Sequence, residues 1–538
     1  MKFLIFPLLF IAFYLQPYIG FAQYLPSDHY KHVVAEKVLN QIAMAKGDNR
    51  TVPSFRISKD KKNIAMYFAG ENEHFIYLDE KVYDVCVGMG KDSLNALACI
   101  IGHELGHYYE DHSDHFGFNT EFAKHDQKTL EDVADKFSLF FGAVAGYDTP
   151  RVFPLILNKV YDAYGKSDKL AGYPDLQDRQ SIVKSAINEI SDFINIYRVG
   201  QNLYAIHRFQ EAKDCMEFIQ NHYPSKIVHN NIGVCNLSLY LNSNNNQEAY
   251  PYIYPFEFEV RVKRMKEISK LSKRDHSFTL IDEAIQLFKE AIHIDPYYET
   301  AYINLACAYS IRGNQDASSG TINELQLFLE REGKSLSENA YLIKGISKAL
   351  NEDYTNAQKA FDHVTSDSDI NQFNHSVLKA ESGKDASYFD DFRNWVITYF
   401  NNEDQEVNHK IALERNKEVI DGKLPQDIHE GATYKEINLG NWASVFFRDD
   451  GTSLNYIYAG KDIEVKMIIA LDNNEASTFK GIHFNDDYQK ITTSNYYGYP
   501  SFRWNKKPLS IIVYDHGNIG FLLEDNRVVN WFAWAITE

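Results

Sequence analysis

Residues 95–112 read NALACIIGHELGHYYEDH. From Ala96 to Gly102 the run is apolar, as in a helix built for burial. Such a helix is a costly place for charged and polar side chains unless they are partnered. It nevertheless continues into His103-Glu104-Leu105-Gly106-His107. Positions i and i+4 of a helix share a face, so the two imidazoles stand side by side and can hold one metal ion. Zinc suits such a set, and it lowers the pKa of a bound water to about 7. Glu104, one step round the helix, can reach that water and take its proton. His103 and His107 are therefore candidate ligands for one zinc ion per chain, and Glu104 is the candidate general base.

A third ligand has two possible sources. A histidine six residues past His107 would suit one class of zinc peptidase, but that position is Ser113. The other source is an acidic residue on a following helix, and KTLEDVADKFSLFFGAVAGYD (128–148) supplies one. Glu131 and Asp135 form an i,i+4 pair on a segment otherwise rich in Phe, Leu, Val and Ala. Glu131 is the candidate ligand, with Asp132 its competitor. Asp135 is placed to hydrogen-bond a ligand histidine. His112 is a candidate for the surroundings of the metal.

Together these stretches resemble the gluzincins of metallopeptidase family forty-eight, which includes the CAAX prenyl proteases, the HtpX heat-shock protease and the BepA protease-chaperone. The resemblance covers about residues 60–180. It implies a mostly helical protease domain with a small sheet. It also implies Glu131 as third ligand, Asp135 as its E-x-x-x-D partner, the element Ala145-Gly146-Tyr147-Asp148, and His112 at the family's extra histidine. In one place the chain departs from the family. Where the family often has His-Pro…Arg near the zinc, this chain has Tyr173-Pro174 and Arg179. A tyrosine hydroxyl can donate to an oxyanion but is a poorer ligand than histidine. Tyr173 and Arg179 are candidates for polarising the scissile carbonyl.

Upstream, 29–45 has helical periodicity, and SFRIS (54–58), NIAMYFAG (63–70) and HFIYLDEKV (74–82) read as strands. An edge strand beside the zinc helix commonly pairs with an extended substrate. The first 22 residues, with Lys2, an apolar run from Phe3 to Leu15 and Gly20-Phe21-Ala22, read as a secretory signal cleaved after Ala22. No other stretch is apolar enough to span a bilayer, so the expected location is the periplasm or cell envelope, with secretion as second choice.

Downstream, small and aromatic residues recur at fixed intervals. Gly200, Ala212, Met216 and Pro224 form one set. Ala284, Phe288 and Pro296 repeat its last intervals, and Gly345, Ala357 and Phe361 its first. Gly233 falls where the next first helix is expected. The pattern resembles tetratricopeptide repeats over residues 191–400, interrupted by an insertion at about 243–277. Such a solenoid has a concave groove that takes peptides or partner proteins. Residues 401–430 read as a linker. Residues 431–538 alternate apolar and polar positions between tight turns such as Asp449-Asp450-Gly451-Thr452, which predicts an antiparallel β domain, a sandwich or small barrel. Trp531 and Trp534 are expected in its core.

The remaining composition mainly excludes. The net charge of −19 is spread along the chain, and the basic run RVKRMKEISKLSKR (261–274) reads as part of the insertion, a contact surface and not a nucleic-acid site. Five scattered cysteines do not make a disulfide scaffold, although Cys215 and Cys235 could pair. The sequence thus predicts a multidomain, exported zinc endopeptidase (residues 23–190) joined to a binding array, acting on protein or peptide substrates, including unfolded ones. The competing reading is a repeat scaffold or chaperone whose zinc site is structural or latent.

Overall fold

A computed structural model describes residues 24–47, 50–59, 64–69, 73–110, 123–164, 176–222, 225–243, 251–259, 280–365, 369–383, 418–420, 422–431, 433–440, 442–471, 477–493, 500–506, 509–515 and 517–537. These residues are mostly helical, with a small mixed sheet and a separate C-terminal eight-stranded antiparallel sheet. They divide into two compact units, one of Met1–Asn40, Val52–Ser138 and Arg151–Ile182, the other of Gln41–Thr51, Leu139–Pro150 and Val183–Glu538. The segment that reads as a signal and most of the stretch that reads as an insertion lie outside the described residues. Among the described residues, no helix is long and apolar enough to cross a membrane.

The first unit contains α1 (Tyr30–Lys46, to Asn40), β1 (Ser54–Ser58), β2 (Ala65–Ala69), β3 (His74–Asp79), α2 (Glu80–Val87) and α3 (Ser93–Tyr109). It also contains the start of α4 (Ala123–Val144), most of α5 (Thr149–Ala163) and the start of α6 (Leu176–Ala205). Sheet order is β1-β3-β2, with β1 parallel and β2 antiparallel to β3. All three expected strands form, but the third ends at Asp79 rather than Val82. The Asp79 carboxylate accepts from Lys81 N at 2.8 Å and caps α2, where Val82, Tyr83 and Cys86 are buried at helical spacing. Every residue of α3 from Ala96 to Tyr109 is buried, so this helix is the core of the unit.

In the second unit, α6 from Val183 leads into α7 (Phe209–His222), α8 (Lys226–Ser243), α9 (Leu280–Ile294), α10 (Glu299–Ile311), α11 (Gln315–Arg331), α12 (Glu338–Leu350), α13 (Tyr354–Phe361) and α14 (Asp369–Glu381). The helices from α6 onward pair through small residues. A Cβ on Gly200 would meet Met216 Cε at 2.8 Å, and one on Gly233 would meet Phe288 Cε1 at 2.7 Å. A Cβ on Gly345 would also collide with the Phe361 ring. The Gly233–Phe288 contact makes α8 and α9 the two members of one pair, so the insertion falls inside a pair. Cys215 and Cys235 are free and buried.

The C-terminal part has β4 (Lys435–Gly440), β5 (Ala443–Asp449), β6 (Ser453–Ala459), β7 (Glu464–Ala470), α15 (Tyr488–Thr493), β8 (Phe502–Lys506), β9 (Leu509–Tyr514), β10 (Ile519–Glu524) and β11 (Arg527–Thr537). The strands form one sheet, β4-β5-β6-β7-β11-β10-β9-β8, instead of the two facing sheets of a sandwich. Its turns carry Gly451 at φ 82° and Asp525-Asn526 at φ 48° and 63°, conformations that these residue types tolerate. Trp531 is fully buried and Trp534 nearly so. Ile420 and Ile428, from the stretch that reads as a linker, pack into the same core. The sheet also bonds to the helices of its own unit, where Tyr458 Oη donates to Asp214 at 2.6 Å.

Candidate metal centre

The site lies in the first unit and is assembled from α3, α4, β2 and the first turn of α6. α3 carries His103, Glu104 and His107, all buried. The Nε2 atoms of His103 and His107 are 3.1 Å apart, with their rings edge to face. From α4, Glu131 brings Oε2 to 3.4 Å from His103 Nε2 and Oε1 to 3.5 Å from His107 Nε2. One ligand atom from each of the three residues lies within 4.8 Å of the others.

The helices approach closely because two residues of the motif lack side chains. A Cβ on Gly106 would lie 2.8 Å from Ala134 Cα, and one on Gly102 would lie 2.8 Å from Ser138 Oγ. Ser138 Oγ in turn donates to Cys99 O at 2.8 Å. This small-residue seam, one face of α3 against one face of α4, brings Glu131 and Asp135 to the histidines. The i,i+4 glycines are legible in GHELG, but the reading of the motif by its charged residues alone passes over them.

Asp135 is fully buried and holds both His103 and Arg179. His103 Nδ1 lies 2.8 Å from Asp135 Oδ1. Arg179, at the start of α6, donates Nη1 to Asp135 Oδ2 at 2.5 Å and Nη2 to Oδ1 at 2.8 Å, and its Nη1 is 3.4 Å from Glu131 Oε2. Its guanidinium is thus engaged with the Asp135 and Glu131 carboxylates behind the histidine. Asp132, the competitor for the third-ligand position, pairs instead with Lys136 at 3.0 Å. His112 and Tyr173 lie outside the described residues.

The donor set fits a divalent cation. With Nδ1–H of His103 given to Asp135, the lone pair on Nε2 faces the Nε2 of His107 and the Glu131 carboxylate. Glu131 Oε2 is buried without a hydrogen-bond partner. Two imidazole nitrogens and a carboxylate oxygen are the donors of three-ligand zinc sites. Without a cation the cluster draws on protons. Burial works against a charge on His103, but Glu131 and Asp135 outweigh it and lift the imidazole to about 10. Burial likewise opposes ionisation of Glu131, yet His103, His107 and Arg179 hold its carboxyl well below the usual range. A bound cation would take over the role of those protons.

Glu104 is 4 % exposed, and its Oε2 accepts the main-chain N–H of Tyr67 at 2.8 Å. Burial raises its pKa. Tyr67 belongs to β2, the edge strand beside α3, and a sequence reading had no signal for this contact. A cavity of about 40 Å³ adjoins His103 and Glu104 and is walled by Ile64, Ile100, Phe153 and Leu157. No family model matches the chain, and no curated protein matches it.

Proposed function

We propose that the chain is an exported zinc endopeptidase of the gluzincin type, carrying tetratricopeptide-like repeats and acting in quality control of envelope proteins. The observation that carries the reading is the convergence of His103 Nε2, His107 Nε2 and the Glu131 carboxylate in a buried site with Glu104 beside them. His103, His107 and Glu131 would hold the ion. A zinc ion bound there supplies Lewis-acid polarisation of the scissile carbonyl and brings the acidity of water close to neutrality.

The protein's own groups do the rest. Glu104 accepts a proton from the attacking water and delivers it to the leaving amine. The Tyr67 N–H orients the Glu104 carboxylate, and burial raises its proton affinity toward the working range. Asp135 fixes the ring and tautomer of His103, and Arg179 fixes Asp135. β2 offers an edge to the main chain of an extended substrate, and the cavity walled by Ile64, Ile100, Phe153 and Leu157 suits an apolar side chain.

The test is metal analysis together with the Glu104→Gln variant. Protein purified without chelator is expected to contain one zinc per chain, and Glu104→Gln to keep the zinc while losing casein cleavage by roughly 10²-fold or more. Casein cleavage at the wild-type rate by Glu104→Gln, or wild-type protein without zinc, overturns the reading. A wild-type protein that holds zinc but cuts no peptide favours the scaffold or chaperone reading.

A further inference from the structure

Residues 252–259, Tyr-Ile-Tyr-Pro-Phe-Glu-Phe-Glu, belong to the insertion and lie in neither helix nor sheet. They are held by α8, α10 and α14, and one asparagine from each does most of the holding. Asn231 of α8 donates to Glu259 O at 2.9 Å and accepts from Glu259 N at 2.8 Å. Asn304 of α10 donates to Glu257 O and accepts from Glu257 N, both at 2.8 Å. Asn374 of α14 donates to Ile253 O at 3.0 Å and accepts from Ile253 N at 2.9 Å. All three asparagines are fully buried.

Each carboxamide therefore satisfies both main-chain groups of one residue, as a neighbouring strand would. Glu257 and Glu259 turn their N–H and C=O to the same side, the period-two pattern of extended chain. The segment runs opposite to the helices, since Asn231, Asn304 and Asn374 meet residues 259, 257 and 253 in that order. Side chains fill in between. Phe258 stacks on Tyr204 with centroids 4.1 Å apart, Tyr254 Oη lies 3.2 Å from Ser310 Oγ, and Tyr252 bonds to Glu381. Tyr197 Oη adds a donor to Glu259 O at 2.9 Å. The groove is larger than this occupant, because a cavity of about 660 Å³ adjoins Glu257 and Glu259.

We propose that these helices form a groove for an extended polypeptide, read through its main chain by Asn231, Asn304 and Asn374, and that residues 252–259 are a tethered ligand occupying it. Main-chain clamps do not select side chains, so another extended chain with aromatic residues at alternate positions, as an unfolded protein exposes, fits the same groove once the segment leaves. The proposal does not depend on the zinc site.

The test uses the full chain with residues 252–259 replaced by the same number of Gly and Ser residues. The probe is a fluorescein-labelled peptide of sequence PYIYPFEFE, followed by anisotropy. The replaced variant is expected to bind the peptide at least tenfold more tightly than wild type. Adding Asn304→Ala to it is expected to weaken binding at least tenfold. Equal binding by wild type and the replaced variant overturns the proposal, as does no binding by a folded replaced variant. Loss of the fold on replacement, seen by circular dichroism, also overturns it, because the segment is then core and not ligand. Anisotropy needs no peptidase activity, so each of these three failures leaves the zinc reading where it stands.

Discussion

Gly106 and Ala134 stand so close that a Cβ on Gly106 would lie 2.8 Å from Ala134 Cα and 3.0 Å from its carbonyl oxygen. The obstacle is main chain, so it cannot rotate away. Gly106→Ala is therefore expected to push α4 off α3, costing about 1–3 kcal/mol of stability. It should also weaken zinc binding, because Glu131 rides on α4. Thermal melts with and without zinc check both effects. A variant with wild-type melting temperature and zinc content contradicts this account of the seam.

Glu131 and Asp132 are neighbours in sequence with different surroundings, one facing the histidines and the other Lys136. Glu131→Ala is expected to abolish stoichiometric zinc, and Asp132→Ala to leave it intact. Elemental analysis of the two purified variants decides. Zinc retained by Glu131→Ala removes that residue from the ligand set.

Asp135 touches no proposed metal position directly but accepts from the far nitrogen of His103. Asp135→Asn keeps the size and loses the charge. Its zinc affinity is expected to fall by about 10–100-fold, as for other changes to groups that orient a ligand histidine. Competition against a chromogenic chelator measures this, and casein cleavage should return as free zinc is raised. An unchanged affinity would show that the His103 tautomer is set elsewhere.

Lys31 joins α1 to α2 away from the metal centre, with Nζ 2.8 Å from Glu80 and 2.6 Å from Asp84 and 5.6 Å from the Tyr83 ring centre. Its hydrogen bond holds the Glu80 carboxyl below the ordinary 4.5. A lowered carboxylate contributes stability above its unfolded pKa and loses it as pH falls through the folded value. Burial disfavours the Lys31 charge, but Asp84 and Glu80 outweigh it and raise its pKa to about 12, so the contribution of Lys31 is complete below 10.5 and fades as pH rises through 12. Lys31→Met is therefore expected to lower the melting temperature at neutral pH, with the gap to wild type narrowing below 4.5. A gap that stays constant across that range would mean that the loss comes from packing alone.

The sequence by itself determined what a single turn of backbone encodes. Helical spacing puts His103 and His107 on one face with Glu104 beside them, and Asp-Gly and Asp-Asn pairs mark hairpin turns in the β part because few other residues adopt their dihedrals. The small residues at repeating intervals also announced the paired helices, since close packing demands small side chains at regular positions. The strand that stops at Asp79 was not legible, because an aspartate cap and an alternating strand look alike until Val82, Tyr83 and Cys86 are seen on one buried face. Only the tertiary structure separated Glu131 from Asp132, turned Arg179 onto Asp135, set the Tyr67 N–H on Glu104 and laid residues 252–259 across Asn231, Asn304 and Asn374. These are contacts between residues distant in sequence. They depend on how closely two elements approach, and the absent side chains of Gly102 and Gly106 set that distance at the candidate metal centre.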